Sequence, residues 1–128
     1  MLYTYTAVIT ESNGTYYAKV PDINGCITTG TTLAEAITLI TDALNLCLVT
    51  LEDKNIKPKE PTSQSDIPHE SSDILTIVQA DTIKYRSATD TKAVRKNVSL
   101  PAWMVNLADK RGINCSKVLQ DALLTILS

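Results

Sequence analysis

Residues 94–103 read Val94-Arg95-Lys96-Asn97-Val98-Ser99-Leu100-Pro101-Ala102-Trp103, and this stretch decides how the rest of the chain is read. Val94, Val98 and Leu100 fall on one face, and Arg95, Asn97 and Ser99 on the other, the period-two pattern of a strand. Pro101 suits the first position of a helix, where no backbone N–H bond is missed. Trp103, Met104, Leu107 and Ala108 form that helix's apolar stripe, and Lys110 and Arg111 sit in its last turn. Gly112 closes it in the left-handed conformation. Asn114 caps a second helix with the stripe Val118, Leu119, Ala122, Leu123 and Ile126. The spacing predicts strand, helix, glycine turn and helix over residues 93–128.

A unit of about 35 residues with one strand and two amphipathic helices cannot bury enough surface alone. Two copies solve this: their strands form an antiparallel ribbon and four helices enclose its apolar face. The shared core is then expected from Val98, Leu100, Trp103, Leu107, Val118, Leu119 and Leu123. Arg95, Asn97 and Ser99 project outward from a ribbon that fits the DNA major groove. There Arg donates twice to guanine, Asn pairs with adenine, and Ser serves either. Lys96 is expected at a phosphate or the helices' edge. Asn114 and Ser116, at the start of the second helix, are expected beside a phosphate. This is the ribbon-helix-helix pattern.

Upstream, Tyr3, Tyr5, Ala7 and Ile9 alternate with a largely threonine face, which predicts a strand. Asn13-Gly14 marks a hairpin turn into Thr15–Val20. Pro21 to Gly25 interrupts the ladder before a short third strand, Cys26–Thr29. Thr32-Leu33-Ala34-Glu35 is a capping box, and Leu33, Ile37, Ile40, Leu44, Cys47 and Leu51 continue as one helical stripe that covers the sheet. Residues 54–73 hold Pro58, Pro61 and Pro68 with little that is apolar, and predict a mobile, protease-sensitive connector. Ile74–Val78 is expected to return and pair with the N-terminal strands. The organisation is thus α+β: a sheet-and-helix module over 1–80 containing the connector, a short helix and hinge over 81–92, and the C-terminal unit over 93–128.

Composition narrows the function classes. The 128 residues are 44% hydrophobic and 20% charged, ordinary for a soluble folded chain. No uninterrupted apolar run reaches membrane-spanning length, and the N-terminus lacks a basic start followed by an apolar block. Three cysteines, Cys26, Cys47 and Cys115, are too few and too irregular for a disulfide framework, which points to reduced thiols in a cytoplasm. The net charge of −2 divides unevenly. Residues 1–80 carry four Lys/Arg against ten Asp/Glu, and residues 81–128 carry eight against four. An acidic front and a basic back suggest partners of opposite charge. The only histidine, His69, lies in the connector, no Cys/His spacing suits zinc, and the strands supply no convincing pair of carboxylates for two metals. No cofactor or catalytic residue is expected.

Residues 93–103, with Gly112–Ser116 and Val118–Leu123, resemble the C-terminal part of HicB antitoxins. Tyr5–Val8, Val20–Cys26 and Gly30–Ala36 resemble that family's N-terminal module, so that only the connector is largely unmatched. The resemblance implies a bacterial type II antitoxin. Its N-terminal module would have a partial RNase H-like fold and cover the active site of a HicA toxin, a small basic ribonuclease. Its C-terminal module would bind the operator of its own operon. For the toxin contact, the expected residues are Tyr3 and Tyr16, taken as exposed, Asp22 and Asn24 in the loop, and Glu52 and Asp53 at the helix end. The assembly is expected to be a homodimer through the C-terminal ribbon, reaching a heterotetramer or more with toxin, with no membrane partner. Two alternatives remain: a stand-alone ribbon-helix-helix regulator whose N-terminal module senses a small molecule, and a residual nuclease.

Overall fold

Asn13 and Gly14 reverse the chain between the first two strands, both with positive φ (52° and 79°), the backbone a tight hairpin requires. The structure is a computed structural model describing residues 1–128. Strands β1 (Leu2–Ser12) and β2 (Thr15–Lys19) form this hairpin, with Val8 opposite Lys19 and Ser12 opposite Thr15. Strand β3 (Ile27–Gly30) pairs with β2, one residue later than predicted, because Cys26 faces inward from the preceding loop, where its N–H and carbonyl bond to Ile23 and Val20. Strand β4 (Ile74–Asp81) returns along the other edge of β1, with Tyr5 opposite Val78, as the sequence led us to expect. The antiparallel order is β3-β2-β1-β4.

Helix α1 (Leu33–Asp53) lies across one face of this sheet. Thr32 caps it by accepting from the Glu35 N–H at 3.1 Å. The Glu35 carboxylate reaches one residue further back than a standard capping box, to the Thr31 N–H and hydroxyl. The buried row is Ala36, Ile40, Leu44 and Leu48, against Tyr5, Ala7, Ile9, Ala18, Val20, Val78 and Ala80. This differs from the predicted stripe: Leu33, Ile37, Cys47 and Leu51 flank the row half-buried. The small Ala36 takes the centre because the helix start crosses Gly30 at van der Waals contact. Burial of each large aliphatic side chain in this row contributes about 1.5–3 kcal/mol. By length and composition α1 would suffice to cross a membrane, but here its inner apolar row packs into the core of the sheet-helix layer.

The connector is held rather than free. The Tyr5 hydroxyl donates to the Lys59 carbonyl, and Asp22 takes the Thr62 N–H and hydroxyl at 2.8 and 2.6 Å. Ile67 is buried, and Thr10 donates to Asp73. Sequence composition did not disclose these anchors, because they lie far away in the chain.

Helix α2 (Thr82–Thr89) follows β4, capped by Asp81. Residues 90–101 adopt no regular element, so the strand predicted over 94–100 is not formed in the single chain. A lone strand has no ladder partner. Helices α3 (Ala102–Lys110) and α4 (Cys115–Leu127) then form where predicted. Pro101 stands immediately before α3, and Gly112 (φ 63°) ends the turn after it. Asn114 caps α4 through the Lys117 N–H. Beyond Arg86, every residue is exposed except Ala108.

Candidate functional site

The C-terminal segment has the wrong surface for a solitary unit. Fourteen large apolar side chains from Val94 to Leu127 are exposed, Val94 to 83% and Ile126 to 75%. Val98 and Leu100 from the extended stretch, Met104 and Ala108 from α3, and Val118 and Leu119 from α4 line one apolar groove of about 470 Å³. The predicted core residues Trp103, Leu107 and Leu123 lie exposed outside its lining. Lys96 and Ser116 also line the groove. Arg95, Asn97 and Ser99 are exposed along the extended stretch, and Asn114 is engaged as the α4 cap. Ile113, Leu124 and Leu127 were missed by the stripe reading and are exposed with the rest.

The N-terminal candidates separate into two groups. Tyr3, Glu52 and Asp53 meet at the C-terminal end of α1. Tyr3 is half-buried rather than exposed, and its hydroxyl donates to Glu52 Oε2 at 2.8 Å. Burial together with this neighbouring carboxylate pushes the Tyr3 phenol up to about 12. The same Glu52 oxygen accepts from the fully buried Thr82 hydroxyl at 3.0 Å, and Oε1 accepts from Arg86 at 3.2 Å. Arg86 also pairs with Asp53 at 2.9 Å. Burial works against ionising Glu52, but the bonds from Tyr3, Arg86 and Thr82 outweigh it and hold its pKa below the ordinary value. This cluster ties β1, α1 and α2 together, so its first chemical duty is structural.

Asp22 behaves likewise. Burial opposes its charge, and the Thr62 and Lys59 contacts overcome that, lowering its pKa. Lys59 approaches it at 3.2 Å. Asp22 and the exposed Asn24 line a groove of about 500 Å³ with Leu46, Thr50 and Leu51 of α1. Tyr16 is half-buried and packs against the core, so its predicted exposure is corrected as well. Strand register explains both tyrosines: Tyr3 and Tyr16 share the helix-facing side of the sheet with Tyr5, while Tyr17 points to the opposite side and is exposed. Leu39 and Leu46, exposed on α1, were also missed; apolar residues spaced off the inner stripe were the available signal.

Cys26 is buried beside Cys47; burial first, and then that neighbour, push its thiol up to about 12. No three His, Cys, Asp or Glu side chains cluster in a way that would hold a metal.

The depressed carboxylates give acidification a definite sign. The unfolded chain takes up protons near the ordinary values of 4.5 for Glu and 3.8 for Asp, whereas folded Glu52 and Asp22 release theirs at lower pH. Their stabilisation is therefore complete above those values and lost as pH falls through the folded ones. Urea midpoints are expected to fall steeply below about pH 5. Glu52→Gln should lower stability near neutrality by about 1–2 kcal/mol and flatten that acid limb. A variant as acid-sensitive as the parent would contradict this assignment.

A family model described as "HicB_like antitoxin of bacterial toxin-antitoxin system" matches residues 5–121. An uncharacterized 14.9 kDa protein of the rep-hol intergenic region of Haemophilus phage HP1 is 29% identical over 109 residues, covering 83% of this chain and 79% of that protein. Among solved structures, a toxin-antitoxin complex from Streptococcus pneumoniae contains a chain that superposes with a TM-score of 0.59 at 21% identity, covering 96% of this chain and 97% of that one. A chain of the HicA3 and HicB3 toxin-antitoxin complex gives 0.51 at 25% identity, covering 62% of this chain and 99% of its own.

Proposed function

The chain belongs to the HicB-like antitoxin family of bacterial toxin-antitoxin systems, a non-enzymatic family; from that membership we propose that it silences a HicA-type ribonuclease and represses its own operon. The sheet-and-helix module, read as a partial RNase H-like unit, covers the toxin's active site. The C-terminal unit pairs with a second copy as a ribbon-helix-helix and binds the operator. With two N-terminal modules on each such dimer, a heterotetramer with toxin is the smallest complete assembly, and it works in the cytoplasm.

The observation that carries this reading is the tail: fourteen exposed large apolar side chains over residues 94–127, with not one residue buried. A second copy removes that surface from water and supplies the missing ladder for residues 94–100. Pairing turns the polar side of that stretch, Arg95, Asn97 and Ser99, into the outer face of a two-stranded ribbon, with Lys96, Asn114 and Ser116 near the phosphates. The eight cations of residues 81–128 favour a polyanion, and the ten acids of residues 1–80 favour a cationic partner. For the toxin contact, Asn24 and Asp53 are exposed and Tyr16 is half-buried. Tyr3, Asp22 and Glu52 support that surface from behind.

Co-expression tests the first arm. The full chain should restore growth to cells producing its HicA-type toxin partner and should co-purify with it. Continued arrest despite folded antitoxin rejects the reading. On the second arm, Arg95→Ala should weaken specific operator binding by about 1–3 kcal/mol while leaving the dimer intact. Titrations giving an unchanged operator affinity would remove Arg95 from the base-reading surface.

A further inference from the structure

We propose that the outward stripe of α1, running Glu35, Leu39, Asp42, Leu46 and Asp53, is the surface on which the cationic toxin docks. This inference rests on the antitoxin reading above and deepens it by giving the partner a place.

Spacings of four, three, four and seven residues keep these five positions within one narrow stripe of a helix, opposite the row that packs on the sheet. The stripe is about 27 Å long. Leu39 and Leu46 are 37% and 55% exposed, although the helix has already buried its inner row completely. Apolar side chains set between acids on a solvent face match the plan of a protein interface, with dry anchors inside a polar rim. Helix α1 contains four acidic residues and not a single Lys or Arg. Asp42 has no ion-pair partner, Glu35 bonds only to the Thr31 backbone and hydroxyl, and Asp53 shares its charge with Arg86. Lys57 and Lys59 line the groove beside Leu46 but are paired with Glu60 and Asp22, so the stripe keeps a net negative potential centred on Glu35 and Asp42, and a protein that must itself bind RNA carries the complementary charge.

The opposite face of the sheet also exposes apolar groups, Tyr17, Ile27 and Ile77, but it sets them around Lys19. Lys19 makes no ion pair, whereas Lys57, Lys59 and Arg86 near the α1 stripe are each paired with a carboxylate, which makes the sheet face the inferior docking site for a basic toxin.

The test uses the full chain and, as probe, a catalytically inactivated form of its HicA-type toxin partner. Asp42→Lys and Leu46→Lys change exposed side chains that make no side-chain hydrogen bond or ion pair in the fold. Each is expected to weaken toxin binding about 30-fold or more, with unchanged thermal midpoint and unchanged operator binding. Wild-type affinity should also fall as salt rises. Tyr17→Ser and Ile27→Ser should bind the probe as the parent does. The inference is overturned if the two α1 variants bind normally, whatever the sheet-face variants do, a result that leaves the antitoxin reading standing. If the unmodified chain fails to bind the probe at all, the antitoxin reading falls together with the inference.

Discussion

Leu119→Asp is expected to turn the chain from a dimer into a monomer with a molten tail, and to abolish operator binding. Leu119 lines the apolar groove with Val98, Leu100, Met104 and Val118 and is 40% exposed in the single chain, so its remaining surface awaits a partner. Burying a leucine contributes about 1.5–3 kcal/mol, and an aspartate in its place adds the cost of an unpaired charge. In a twofold assembly each substitution occurs twice, so dimerisation should weaken by at least about 4 kcal/mol, roughly a thousandfold. Sedimentation at micromolar concentration reads the mass, and circular dichroism reads the loss of α3 and α4. Lys117→Ala, which removes only an exposed pair with Asp121, should leave both unchanged. A parent chain that sediments as a fully folded monomer would refute the premise from which the tail was interpreted.

Gly30→Ala is expected to destabilise the N-terminal module severely for so small a change. A Cβ on Gly30 would stand 2.7 Å from the Ala36 nitrogen, 3.0 Å from its Cα and 3.2 Å from its Cβ. The two nearest atoms are main chain in the first turn of α1, so no rotamer change relieves the clash. Helix and sheet must separate locally, and the Tyr5, Ile9, Ile40 and Leu44 contacts beyond the site loosen with them. A loss of about 1–3 kcal/mol follows, or about 5–20 °C in the melting temperature of a module this size. Truncating Ala36 to glycine in the same chain should not rescue it, because the backbone atoms remain. Rescue by Ala36→Gly would show that side-chain crowding, not backbone approach, governs this junction.

Local signals were read well where one segment carries its own instructions. The hairpin at Asn13-Gly14, the Thr32 and Asn114 caps and the stop at Gly112 each depend on residues within one turn. The period-two alternation of residues 3–9 marked the strand, and the structure places Tyr5, Ala7 and Ile9 of that set under the helix. The candidate toxin surface was less legible. Tyr3 and Glu52 are 49 residues apart and meet through a hydrogen bond, and Asp22 finds Thr62 across 40 residues. A charged or aromatic residue scanned for binding cannot disclose that its polar atoms are already engaged elsewhere in the fold. The contacts that the proline-rich connector makes to Tyr5, Thr10 and Asp22 are equally invisible in its composition.

By itself, the amino-acid order determined the helices and their caps, the N-terminal hairpin, the returning fourth strand and the amphipathic tail that lacks a core of its own, because periodicity and turn chemistry act over a few residues; the strand expected over 94–100 needs a partner and is absent from the single chain. Only the tertiary structure decided which carboxylates are bound up inside the fold, which row of α1 faces inward, and hence which leucines and acids remain on its outer side. Those outcomes depend on approach distances between distant segments, such as Gly30 against Ala36, and no local pattern encodes such distances.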